Sequence, residues 1–125
     1  MRFQKFNNNP LKKKNGDCVI RAISEGLDLD WLKVYDDLYL LGRELKIVMN
    51  SKECYREYLK DYKMIVPKVI KGKKRLKVAD FKKGTYILST AQHLTIVKDG
   101  VLKDLWDCRE KCVYRYWIIK EGLSK

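Results

Sequence analysis

The chain has 125 residues, 46% of them hydrophobic, and a formal net charge of +12. That is enough apolar material for one domain with one core, and no apolar run approaches the ~20 residues of a membrane-spanning helix. The first ten residues lack the apolar stretch of a signal peptide. A cytoplasmic protein without membrane association is therefore expected, its four cysteines (Cys18, Cys54, Cys108, Cys112) free rather than paired.

Residues 1–14 are expected to be irregular. Asn7-Asn8-Asn9-Pro10 is loop chemistry, and Pro10 pushes Asn9 away from helix. A first helix runs from Cys18 to about Leu27, entered through Gly16-Asp17, with Asp17 placed to cap free backbone N–H groups. At 100° per residue Val19, Ile20, Ala22, Ile23, Gly26 and Leu27 make one apolar arc, with Arg21, Ser24 and Glu25 opposite and Cys18 at the margin. Asp28 or Asp30 caps a second helix, Trp31 to about Leu45, which is apolar at helical spacing and is assigned no chemistry. Asn50-Ser51 starts a third, through about Tyr62, with Cys54 in its apolar stripe.

A β-rich half begins near Met64. Met64–Val66, broken by Pro67, suits an edge strand. Lys71–Arg75 is an exposed basic segment, and a short helix over about Lys77–Lys82 stops at Gly84. Strands then cover Tyr86–Thr90, His93–Val97, Val101–Asp107 and Val113–Ile119, with Asp99-Gly100 as a hairpin signal between the second and third. Helices precede antiparallel strands, which makes the chain α+β.

Cys18 and His93 are the residues that suggest chemistry. A thiol at a helix N-terminus feels the positive end of the helix dipole, which favours the thiolate. His93, the only histidine, opens a hairpin strand. A thiol nucleophile needs an imidazole, and the imidazole needs an orienting third group. Hairpin register decides which residue that is. A three-residue loop, Lys98-Asp99-Gly100, puts Asp107 on the face of His93; a two-residue loop, Asp99-Gly100, sets His93 opposite Trp106 and gives that face to Asp104.

The set Gly16-Asp17-Cys18-Val19-Ile20-Arg21-Ala22-Ile23, Lys83-Gly84-Thr85-Tyr86-Ile87 and His93…Trp106-Asp107 resembles the papain-like cysteine peptidase superfamily. The resemblance is to its compact bacterial and phage members, such as bacteriocin-leader peptidases and staphopain-like enzymes, and it extends over about residues 7–119. It implies a single papain-like domain over 1–125, with N-terminal helices, the first carrying the cysteine, packed on a C-terminal antiparallel sheet. It also implies a Cys18–His93–Asp107 triad, because in the staphopain type the third residue directly follows a tryptophan, as in Trp106-Asp107; Asp104 is the rival orienter. Gln92 and Trp106 fall beside this site. Many relatives carry a glutamine about six residues before the cysteine to bind the oxyanion. Here that position is Lys12, which leaves Asn15, Asn9 or Asn8 as side-chain donors beside the backbone N–H of Cys18. The activity so implied is hydrolysis of a peptide, isopeptide or side-chain amide bond through an acyl-enzyme, or transfer of the acyl group to an amine. It needs no cofactor, and a phage-encoded member would act in the host cytoplasm.

The charge points to partners as well. An acidic protein or peptide substrate suits the surface; nucleic acid is a less favoured partner, because the basic residues lack interleaved aromatic platforms. A non-catalytic phage protein that binds nucleic acid or an acidic host protein is the alternative to an enzyme. Cys108 and Cys112 are spaced C-x₃-C, but with only Cys54 and His93 as further soft ligands they fall short of a structural zinc pattern, so no metal is expected. Cys108 sits next to Asp107 and near the site. Tyr114, Tyr116 and Trp117 are at strand spacing and suit sheet faces.

Overall fold

The hairpin centred on Asp99-Gly100 sets the register on which the site depends. In the computed structural model, which describes residues 1–122, both turn residues have positive φ (47° and 76°), the requirement of a two-residue type I′ loop. Gly84 and Asp99 bind each other across it: the Asp99 N–H donates to the Gly84 carbonyl (2.8 Å), and the Gly84 N–H donates to Asp99 Oδ1 (2.9 Å). The strand after the turn therefore pairs Lys98 with Val101 and Val97 with Leu102.

The architecture is α+β. Three helices, α1 (Cys18–Leu27), α2 (Trp31–Leu45) and α3 (Lys52–Tyr58), pack on a six-stranded mixed sheet. The strands are β1 (Arg2–Lys5), β2 (Lys63–Ile65), β3 (Gly84–Thr90), β4 (His93–Lys98), β5 (Val101–Asp104) and β6 (Arg115–Glu121), in the order β1-β5-β4-β3-β6-β2. β5, β4, β3 and β6 run antiparallel to one another in turn, and β2 pairs antiparallel with β6 at the edge, ending before Pro67.

Two expectations about the sheet are corrected. It is neither wholly C-terminal nor wholly antiparallel, because β1 lies inside the supposedly irregular residues 1–14 and pairs parallel to β5, Arg2 opposite Val101 through Lys5 opposite Asp104. The Phe6 N–H then donates to the Asp104 carbonyl (2.8 Å). Arg-Phe-Gln-Lys has one apolar side chain and is mostly exposed, so it carries no burial pattern to announce it. The expected helix at 77–82 is only a single 3₁₀ turn, Val78–Asp80, and α3 ends at Tyr58 rather than Tyr62.

Strand alternation splits the core between two faces. Ile87, Leu94, Ile96 and Trp117 meet Val19, Ile20, Ile23, Val34, Leu38 and Leu59 on the helical face. Leu88, Val97 and Leu102 meet Val78, Phe81, Cys108 and Val113 on the other. α1 lies close along β3 and β4: a Cβ added at Gly26 would sit 3.0 Å from Ile87 and 3.1 Å from Ile96.

Because the hairpin turn fixes register, a side chain at Gly100 has a defined cost. Its Cβ would take a left-handed φ and stand 2.9 Å from the Lys82 carbonyl oxygen. Gly100→Ala is expected to lower unfolding free energy by about 1–2 kcal/mol, read as a shifted urea midpoint at unchanged slope.

Candidate active site

β4 starts at His93, and α1 starts at Cys18 against it. The Cys18 thiol hydrogen-bonds the His93 side chain and accepts from the Leu94 backbone N–H. On the other side of the ring, His93 Nε2 lies 2.6 Å from Asp104 Oδ2. With Nε2 held there, Nδ1 is the nitrogen left to share a proton with Cys18. Trp106 lies against the ring, centroids 5.0 Å apart, and is itself half exposed.

Asp104 is the carboxylate that meets the His93 ring. It is 2% exposed and each oxygen is loaded. Oδ2 takes His93 Nε2 and the Thr95 hydroxyl (2.6 Å), while Oδ1 takes its neighbour's amide, Leu105 N–H (2.6 Å), and Arg21 Nη1 (3.3 Å). Registered pairing of β4 with β5 covers only Val97–Leu102 and Lys98–Val101. Asp104 comes just after it and turns its carboxylate toward Thr95 and His93. Asp107 does not reach the ring: its exposed carboxylate forms a fork with Arg109, at 2.7 Å to Nη2 and 2.9 Å to Nε. The two-residue loop gives His93 to Asp104, and β5 ends before Trp106-Asp107.

A second buried pair extends the line. Arg21, placed by helical periodicity on the outer side of α1, is 7% exposed. It bridges Asp104 and Asp17, its Nε donating to Asp17 Oδ1 (2.9 Å). Asp17 makes no side-chain cap; its Oδ2 accepts instead from Trp31 Nε1 (3.0 Å) and Asn9 Nδ2 (3.2 Å). Ser24, also placed outside, is buried with its hydroxyl on the Leu29 carbonyl. The i,i+4 spacing of Asp17 and Arg21 was the available signal for this pair.

The pKa shifts follow from these contacts. Burial pushes the Cys18 thiol up, but the hydrogen bonds from His93 and the Leu94 N–H, with the charges of His93 and Arg21, outweigh it and leave the thiol below its usual value. Burial pushes His93 down, yet its bonds to Asp104, Cys108 and Cys18 raise it to about 11. Burial disfavours the Asp104 carboxylate, and donation from His93 and Thr95 reverses that and holds it low. Cys54, buried against the Leu38 carbonyl, moves the other way, raised by burial.

A cleft of about 330 Å³ opens beside Cys18 and His93. Asn50, Ser51, Lys52 and Tyr55 line it from the start of α3, and Ser89, Thr90 and Gln92 from the β3–β4 turn. None of the asparagines expected at the oxyanion lines it. Asn9 is buried with its amide on Asp17 and its carbonyl on the Leu11 N–H. Asn15 is exposed on a neighbouring depression with Asp17 and Trp31. Asn8 donates to the Arg21 carbonyl, and the Lys12 ammonium to that of Asn7. The side-chain amides at the cleft are Gln92 and Asn50. Asn50 had been read only as a helix-start residue.

Comparisons with protein-family models, curated proteins and solved structures returned no match.

The two aspartates should separate cleanly in stability. Asp104→Ala strips a partner from both Arg21 and His93 inside the protein and is expected to cost of order 3 kcal/mol. Asp107→Ala breaks a solvent-facing pair and should leave the urea midpoint unchanged within error. Equal midpoints for the two variants would contradict this placement of the buried charge.

Proposed function

We propose that the protein is a papain-like thiol hydrolase with a Cys18–His93–Asp104 triad, acting on an amide bond of a protein or peptide through an acyl-enzyme. The observation that carries the reading is His93 held by Asp104 on one side and hydrogen-bonded to Cys18 on the other. Cys18, as thiolate, attacks the carbonyl; His93 protonates the leaving amine; water or an acceptor amine then clears the acyl group. The Cys18 backbone N–H, at the first position of α1, has no carbonyl four residues back inside the helix and can face the oxyanion. Gln92 and Asn50 are the side-chain donors that share the cleft. Trp106 shields the His93–Asp104 bond from water.

The lowered Cys18 and raised His93 define a pH window. The ion pair forms as pH rises through the lowered thiol value and persists until His93 loses its proton near 11. An ordinary thiol of pKa about 8.5 is only ~0.3% ionised at pH 6. At that pH Cys18 should therefore react with iodoacetamide at least about tenfold faster than Cys54, Cys108 or Cys112, as mass spectrometry of each site reads it. His93→Ala should abolish the advantage and Asp104→Asn reduce it, while Asp107→Asn should not change it. A Cys18 that behaves as an ordinary thiol would sink the proposal.

A second reading rests on the exposed cations Lys68, Lys71, Lys73, Lys74 and Arg75, next to exposed Val69 and Ile70. In it the basic surface binds an acidic polymer and the fold is not catalytic. Steep loss of nucleic-acid affinity with salt, together with ordinary Cys18 reactivity, would favour it.

A further inference from the structure

We propose that His93, Asp104 and Cys108 form a binding site for a divalent ion of the zinc class. Their ligand atoms all lie within 4.8 Å of one another. His93 Nε2 is 2.6 Å from Asp104 Oδ2, and Cys108 Sγ is 3.9 Å from the same oxygen. Cys108 also hydrogen-bonds the His93 side chain and is 1% exposed. Cys112, four residues on, is outside this cluster, so the ligand set differs from the C-x₃-C pair suggested by spacing.

One imidazole nitrogen, one carboxylate oxygen and one thiolate sulfur suit zinc, which takes N, O and S ligands together; magnesium and calcium require oxygen. Three protein ligands leave a fourth, open position. The carboxylate is already oriented: Arg21 and the Leu105 N–H hold Oδ1, and Thr95 donates to Oδ2. Such outer contacts fix metal ligands in place. Charge balances as well. The ion brings two positive charges and displaces two protons, one from His93 Nε2 and one from the Cys108 thiol. The metal site does not rest on the hydrolase reading, although it shares His93 and Asp104 with it.

Metal-free, reduced protein titrated with cobalt(II) tests the site. A thiolate-to-cobalt charge-transfer band is expected in the wild type and in Cys18→Ser, and should vanish in Cys108→Ser. A band that survives Cys108→Ser, that disappears in Cys18→Ser, or that never forms in the wild type overturns the site. X-ray absorption of the zinc-loaded wild type guards against a variant that fails to fold. One sulfur at about 2.3 Å is expected, and two or none overturns the assignment. The two readings fail separately. Fast alkylation without a cobalt band rejects the metal site alone, and a cobalt band with slow metal-free alkylation rejects the hydrolase alone.

Discussion

Everything at the site depends on one buried carboxylate. Asp104 is removed from water, a state that costs several kcal/mol for an unpaired ion, and it is kept by donors from α1, β4 and the stretch that follows β5: Arg21, His93, Thr95, the Leu105 amide and, at longer range, the Cys108 thiol. Arg21 in turn carries Asp17, and Asp17 is fixed by Trp31 and Asn9. Charges therefore alternate from Asp17 through Arg21 and Asp104 to His93, whose ring meets Cys18. Each member lowers the cost of burying the next. The line ties the N-terminal loop, α1, α2 and two strands to the imidazole, so orienting the ring is part of holding the fold together.

The thiol is placed by packing rather than by that line. α1 approaches β3 and β4 closely because position 26 carries no side chain against Ile87 and Ile96. Ile23, fully buried on the same helix, fills the space beside it. With the helix pressed flat to the sheet, its first residue arrives where β4 begins. Cys18 and His93 thus sit at the first positions of two regular elements, where backbone geometry is set by ladders and core contacts. Loop residues such as Gly16, Asn50 and Gln92 form part of the cleft wall. β1 adds a further restraint, since the Phe6 N–H holds the Asp104 carbonyl while the side chain works on the other partners.

Periodicity made much of this legible. Cys18–Leu27 and Trp31–Leu45 read as helices from apolar spacing alone and have those bounds, and the Asp99-Gly100 dipeptide announced its hairpin. Register was not legible, because the two loop lengths differ by a single residue and side chains alternate. The tryptophan before Asp107 marks a carboxylate that the fold pairs with Arg109 instead of His93. A polar residue on an amphipathic helix is read as solvent-facing by default, and that default hid Arg21: its guanidinium has a buried partner on each side, 4 and 83 residues away. The first of those separations is visible in a helix pattern. The second exists only once the sheet is assembled. β1 was hidden for the opposite reason, as an edge strand that buries almost nothing.

Cys108 gives the His93–Asp104 pair a third potential ligand atom. An aliphatic side chain at 108 would leave the His93–Asp104 hydrogen bond undisturbed. A thiol there supplies a third donor, soft enough to compete for a metal, from the face of the sheet opposite α1. Proton and metal then contend for the same nitrogen lone pair. Arg21 and Thr95 hold the Asp104 carboxylate in place under either occupant, because neither of them donates to the ring. The same second line of contacts that prepares a base therefore prepares a metal ligand, and Cys108 is what gives the metal its third hold.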